Sequence, residues 1–134
     1  MSEARVERVH SDRVLAREFL AQARTFLSDA QFADLSAPSR AVLLHNAAVG
    51  ACDAILQACG LRVTSGDRAH VLRLETALSA LNGDTEELLE DLDASRARRN
   101  EASYAAGFIS QASVVDAQEA TLELVARAEA FLAG

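Results

Sequence analysis

The residues most able to do chemistry are concentrated in one stretch, residues 95–104, which reads SRARRNEASY. Arg96, Arg98 and Arg99 supply three of the chain's thirteen basic residues within four positions, although the formal net charge of the chain is −7. A guanidinium group has a planar fork of donors that contacts two oxygens of a phosphate or carboxylate at once. The stretch therefore predicts a local anion-binding site in an acidic protein.

The apolar stripe of the predicted fourth helix runs into this stretch, along the line Leu88, Leu92, Ser95 and Arg99, with spacings of four, three and four. Arg96 lies on the adjacent line of side chains, directly beside this stripe on the same helix. A buried charge without a partner is very costly, so Arg96 and Arg99 require a carboxylate, a phosphate or a water-filled cleft. Arg98 is expected to be solvated in the C-terminal half of the helix, where positive charge suits the helix dipole.

Polar residues also interrupt the apolar face of the predicted second helix, which reads Val42, Asn46, Val49, Asp53 and Leu56. Asp53 is a candidate partner for Arg99 or Arg96. One interpretation is a buried ion pair that locks the two helices together. The other is that Asp53 and Asn46 orient a binding site formed around the arginines, with His45 at the edge of the stripe.

Composition indicates one all-α domain over residues 1–134. Half of the residues are hydrophobic, and only one proline and six glycines are present. Alanine and leucine dominate, which favours helices, and no run alternates in the manner of a strand. No apolar run approaches the roughly 18 residues that span a bilayer, and no signal peptide is recognisable. We therefore expect a cytoplasmic protein without a membrane segment.

Neither a metal nor a cofactor is predicted. The histidines (His10, His45 and His70) show no ligand-pair spacing with the two cysteines, Cys52 and Cys59. Seven residues of helix separate the cysteines by about 10 Å, which is too far for a disulfide, so both are expected to be buried thiols. No glycine-rich phosphate loop is present.

The chain predicts an up-and-down bundle of four to five helices. Helix one covers about 11–29, or starts nearer Ser2. Helix two follows an N-cap at Ser36, has Pro38 in its first turn and ends at Gly60. Helices three and four cover about 67–81 and 85–106. A capping-box pattern at Ser113 and Asp116 starts helix five, which runs to the end of the chain.

Three segments together resemble the HEPN superfamily (higher eukaryotes and prokaryotes nucleotide-binding), in particular its small stand-alone bacterial members of actinobacterial type. These segments are NAAVGACDAIL at 46–56, GDRAH at 66–70 and RRNEASY at 98–104. The resemblance covers nearly the whole chain. Its most specific part is Arg99-Asn100 followed by Tyr104.

The resemblance implies a helical bundle that usually dimerises, with the motifs of both protomers facing a shared cleft. Active members are metal-independent ribonucleases that use an arginine, the polar residue after it and a histidine four to six residues further on. Many belong to toxin–antitoxin or antiphage systems and are encoded beside a minimal nucleotidyltransferase. Arg99 matches the arginine and Asn100 the polar residue, whereas Tyr104 stands at the nearest histidine position.

Three functions follow as hypotheses. In the first, Arg96, Arg99, Asn100 and Tyr104 bind RNA, a nucleotide or an acidic partner segment without catalysis, because tyrosine, with a pKa near 10, is a poor general base. In the second, the protein is a ribonuclease toxin in which Tyr104 or a distant histidine (His45 or His70) replaces the missing one. In the third, it is a structural homodimer. We expect the first, within a toxin–antitoxin or defence system, with dimerisation through the helix four face and a nucleotidyltransferase-type partner.

Overall fold

The chain is an all-α bundle. A computed structural model describes residues 2–104 and 109–134, with side chains over 2–99 and 109–134. These residues form five helices, namely α1 (Arg13–Asp29), α2 (Ala37–Cys59), α3 (Ala69–Ser79), α4 (Glu86–Tyr104) and α5 (Gln111–Ala133). Two short strands, β1 (Val6–Arg8) and β2 (Leu61–Val63), complete the described elements.

Helix α2 is the centre of the bundle and contacts each of the other four helices. Buried residues lie on several of its faces, and Leu44 and Ile55 are among the largest fully buried side chains of the protein. Among the described residues, it is the helix that is long and apolar enough to cross a membrane by length and composition. A core helix passes the same test, because a helix that is apolar all round can equally be buried by protein.

The ends of α2 confirm the prediction from local sequence. The Ser36 hydroxyl accepts a hydrogen bond from the backbone N–H of Ser39, at 3.2 Å. Pro38 lies in the first turn, where its missing N–H costs nothing. Gly60 ends the helix in the left-handed conformation, with φ 69°.

The starts of the outer helices differ from the prediction by a few residues. Helix α1 begins after Asp12, whose side chain accepts a hydrogen bond from the Leu15 N–H at 3.0 Å. Helix α5 is capped by Ser110, which accepts from the Ser113 N–H at 3.1 Å. The predicted cap at Ser113 was therefore wrong, since Ser113 is the donor in the first turn and not the cap.

A two-stranded antiparallel sheet of β1 and β2, which the sequence did not predict, holds the N-terminal segment against the end of α2. The strands are antiparallel, and Glu7 lies opposite Arg62 with an ion pair of 2.7 Å. The alternative that helix one starts nearer Ser2 was therefore wrong. Gly60 makes the reversal possible, because a Cβ there would lie 2.7 Å from the Val9 carbonyl oxygen.

Helix α4 contributes its apolar stripe to the core as predicted, through Leu88 and Leu92. The following turns lie beside α2, α3 and α5. Because the leucines fix the rotation of α4 about its axis, the arginines one and two turns later are directed toward the same side of the bundle. The core packing thus positions the arginine stretch.

Candidate functional site

Two small cavities lie beside the arginine stretch. The first, called here the α4–α5 cavity, has a volume of about 50 Å³ and lies between α2, α4 and α5. Its charged and titratable lining consists of His45, Arg96, Arg98 and Arg99. The remaining wall is mainly apolar and includes Leu92 and Ile109. The structure therefore brings three arginines of one helix to a single cavity, together with a histidine of another helix.

The second, called here the α3–α4 cavity, has a volume of about 40 Å³ and is lined by His45, His70, Arg73 and Arg96, among others. His45 and Arg96 line both cavities. The two cavities therefore form one site, and we call its six basic side chains the arginine–histidine cluster. The members of this cluster are His45, His70, Arg73, Arg96, Arg98 and Arg99.

His45 is the titratable centre of the cluster. Burial lowers its pKa to about 4, and the positive charges of Arg99, Arg73, Arg96 and His70 act in the same direction. The pKa of His70 is also lowered, mainly by burial. Both imidazoles are therefore neutral at pH 7, and His45 can accept or donate a hydrogen bond without carrying charge.

Arg96 and Arg98 each form a long side-chain contact on their own helix. The Arg96 side chain is 19% exposed, and its Nε donates to Asp93 Oδ1 at 3.3 Å, but the Asp93 carboxylate is itself 44% exposed. Arg98 donates from Nη2 to the Ser95 hydroxyl at 3.4 Å. Within residues 2–99 and 109–134, the buried Nε of Arg98 has no hydrogen-bond partner.

The position of Arg98 corrects the sequence prediction. Arg98 was expected to be solvated, whereas it is half-buried and lines the α4–α5 cavity beside Arg99. Its long side chain can return to the bundle surface even though its Cα is off the leucine stripe. The cavity therefore receives one more guanidinium than the helix periodicity predicted.

Asp53 is the second correction. It was the candidate partner of Arg99 or Arg96, but its Oδ1 lies 3.4 Å from Arg73 Nε on α3. Burial raises the pKa of Asp53, and the nearby Arg73 partly opposes this change. The ion pair therefore joins α2 to α3, whereas the prediction joined α2 to α4.

Asn46 does not line either cavity. It lies one turn before Gly50, whose Cα approaches α1 so closely that an added Cβ would be 3.3 Å from Ala23 Cβ. The predicted role of Asn46 in orienting the arginine site stays a prediction.

Asn100 and Tyr104 belong to the last turns of α4, but their side chains lie outside the described residues. Their predicted roles stay predictions. Arg73 was missed by sequence reasoning, and His70 was considered there only as a possible replacement for the motif histidine. The sequence did contain a signal for both residues: His70 and Arg73 are three positions apart in the predicted third helix, which places their side chains on one face.

Comparisons with known proteins identify no relative of the chain. No protein-family model matches it, and neither a curated protein nor a solved structure shows significant similarity. The part of the chain that the structure describes contains no group of three or more His, Cys, Asp or Glu side chains that could hold a metal ion. The arginine–histidine cluster itself presents donor groups that are suited to an oxyanion.

Proposed function

We propose that the arginine–histidine cluster binds a phosphate group of an RNA or a nucleotide. The observation that carries this proposal is the convergence of Arg96, Arg98 and Arg99 with His45 on one cavity, in a chain of formal net charge −7. Concentrating positive charge on one face of an acidic protein costs folding free energy through repulsion between like charges. An anionic ligand relieves that repulsion.

The cavities are too small to enclose a nucleotide. Their volumes of about 50 and 40 Å³ suit a phosphate oxygen or a water molecule, so the ligand would rest on the rim while the guanidinium groups reach it. Neutral His45 between the two cavities supplies a hydrogen bond to the ligand without adding to the repulsion. This arrangement is that of a phosphate-binding surface, in which recognition of a base comes from residues beyond the cluster.

The resemblance to HEPN proteins gives the proposal its biological setting. We infer an RNA-associated component of a toxin–antitoxin or stress and defence system, acting as a homodimer through the α4 face. A nucleotidyltransferase-type protein is the proposed partner. Tyr104 replaces the motif histidine, so we favour binding without catalysis.

A metal-independent ribonuclease is the second candidate. The observation in its favour is that His45 lines the same cavity as Arg99, although the two are 54 positions apart in the chain. His45 would take the proton of a 2′-hydroxyl while Arg99 stabilises the charge of the phosphorane. With a pKa of about 4, however, His45 is a weak base, which limits the rate it can support.

The experiment that tests the proposal is RNA binding and cleavage in the presence of a chelator, with structured and single-stranded RNAs. Arg96→Ala and Arg99→Ala should each weaken binding about tenfold or more, because a charge-assisted hydrogen bond contributes about 1.5–3 kcal/mol. Arg17→Ala is the matched control. Arg17 is exposed on α1 and lines neither cavity, yet the substitution removes the same charge.

The outcomes separate the three functions. Binding that is lost in both cluster variants and retained in the control supports the proposal. Cleavage by the wild type that disappears in Arg99→Ala and in His45→Ala would instead establish the ribonuclease. Equal behaviour of the wild type and all four variants toward RNA and nucleotides would leave only a structural role for the cluster.

A further inference from the structure

A second groove of about 440 Å³, which shares Arg73 with the arginine–histidine cluster, lies on the side of the bundle where the β1–β2 pair meets α1, α2 and α3. Its volume is within the range of small-molecule sites. The apolar part of its lining includes Phe19, Leu56, Leu61 and Val63. Asp53 and Arg73 provide an acidic and a basic group in the same groove. A groove that combines apolar side chains with a few converging polar and charged groups is typical of a ligand site.

The contact between Asp53 and Arg73 is weak. Oδ1 and Nε lie 3.4 Å apart, and the two side chains are 34% and 29% exposed. Within residues 2–99 and 109–134, neither side chain forms a hydrogen bond. The carboxylate therefore keeps its acceptor positions, and the guanidinium keeps both of its terminal amino groups for a ligand.

The charges that line the groove indicate which kind of ligand it would bind. Arg62 also lines the groove, but it is bound to Glu7 at 2.7 Å and its side chain is 63% exposed. An anion on Arg73 would leave the Asp53 charge uncompensated, and a cation on Asp53 would do the same to Arg73. A molecule with one positive and one negative group close together satisfies both side chains.

We propose that this groove binds a zwitterionic α-amino acid with an apolar side chain. The ammonium and carboxylate of an α-amino acid are attached to one carbon, so they match two protein charges that are already adjacent. The ammonium pairs with Asp53, and the carboxylate takes the terminal amino groups of Arg73. The side chain of the ligand lies against Phe19 and the apolar residues of α2 and β2.

The test uses the full chain and L-leucine as the probe, with two analogues that each lack one charge. Binding is followed by chemical shifts of backbone amides around the groove, at Val9, Leu61 and Val63, in titrations up to tens of millimolar. L-Leucine should shift these resonances in a saturable manner. N-acetyl-L-leucine, which lacks the ammonium, and L-leucinamide, which lacks the carboxylate, should each bind at least tenfold more weakly. Glycine, which lacks the apolar side chain, should also bind more weakly than leucine.

Equal binding of leucine and either analogue would overturn the proposal, as would the absence of any shift with leucine. Asp53→Asn should weaken leucine binding at least tenfold, whereas Arg17→Ala should leave it unchanged. Arg99 lines the α4–α5 cavity and not the groove, so Arg99→Ala should weaken RNA binding and leave leucine binding unchanged. A failure of the amino-acid site is thereby distinguishable from a failure of the proposed RNA function.

Discussion

Acidification should destabilise the protein through His45. The folded-state pKa of this residue is about 4, against an ordinary value of 6.5. Between these two pH values the unfolded chain binds a proton that the folded chain does not. The free energy of unfolding therefore falls as the pH falls through this window, and the His45 contribution is fully present only above about pH 6.5.

The size of the effect follows from the same two values. A pKa difference of about 2.5 corresponds to about 3 kcal/mol at 1.36 kcal/mol for each unit. His45 is only half-buried, and screening by solvent reduces this figure to about 1–2 kcal/mol. Burial of the imidazole is the largest cause of the lowered pKa, and the charges of Arg99 and Arg96 on α4 and of Arg73 and His70 on α3 add to it.

The assay is urea unfolding followed by far-ultraviolet circular dichroism, at several pH values from 7 to about 4. Wild type and His45→Gln are compared, because glutamine keeps a polar side chain that does not titrate. The difference between their free energies of unfolding isolates His45 from other titrating groups, including Asp53, whose raised pKa acts in the opposite direction. A difference that stays constant over the whole range would refute the reasoning, as would a measured His45 pKa near 6.5. His70→Gln is the control for the second histidine.

Two further predictions follow from the backbone and the thiols. Gly60→Ala should lower the free energy of unfolding by about 2 kcal/mol or more, measured by urea unfolding, because of its positive φ and the 2.7 Å approach to the Val9 oxygen. A loss below about 0.5 kcal/mol would contradict this account of the turn. In native protein a thiol reagent should modify Cys59, which is exposed, and spare buried Cys52, whose pKa is raised to about 12. Modification of both at equal rates would show that the α2 core opens easily.

The cysteines also show where helical spacing ceases to be informative. Both were expected to be buried, since each falls on the apolar side of α2. Cys52 lies at the centre of the helix and is buried, whereas Cys59 lies in the last turn and is exposed. Periodicity gives the direction of a side chain from the helix axis, but the depth of burial depends on how far the neighbouring helices extend.

The limits of α2 were predictable from sequence because they depend on groups a few residues apart. A serine hydroxyl, a proline in the first turn and a glycine after the last turn determine the start and the end whatever surrounds the helix. The same holds for the leucine stripe of α4. The β1–β2 pair was not predictable, because each strand has three residues and its hydrogen bonds join positions more than 50 residues apart.

The sequence by itself determined that this protein is a helical bundle with an arginine-rich helix, since helix propensity, capping and apolar periodicity are local properties. Only the tertiary structure decided which groups surround those arginines. It placed His45 and Arg98 in the cavity with Arg99, and it paired Asp53 with Arg73. Such pairings depend on the rotation and contact of helices distant in sequence, and a few degrees of rotation change the partner of a long charged side chain without changing the helix pattern.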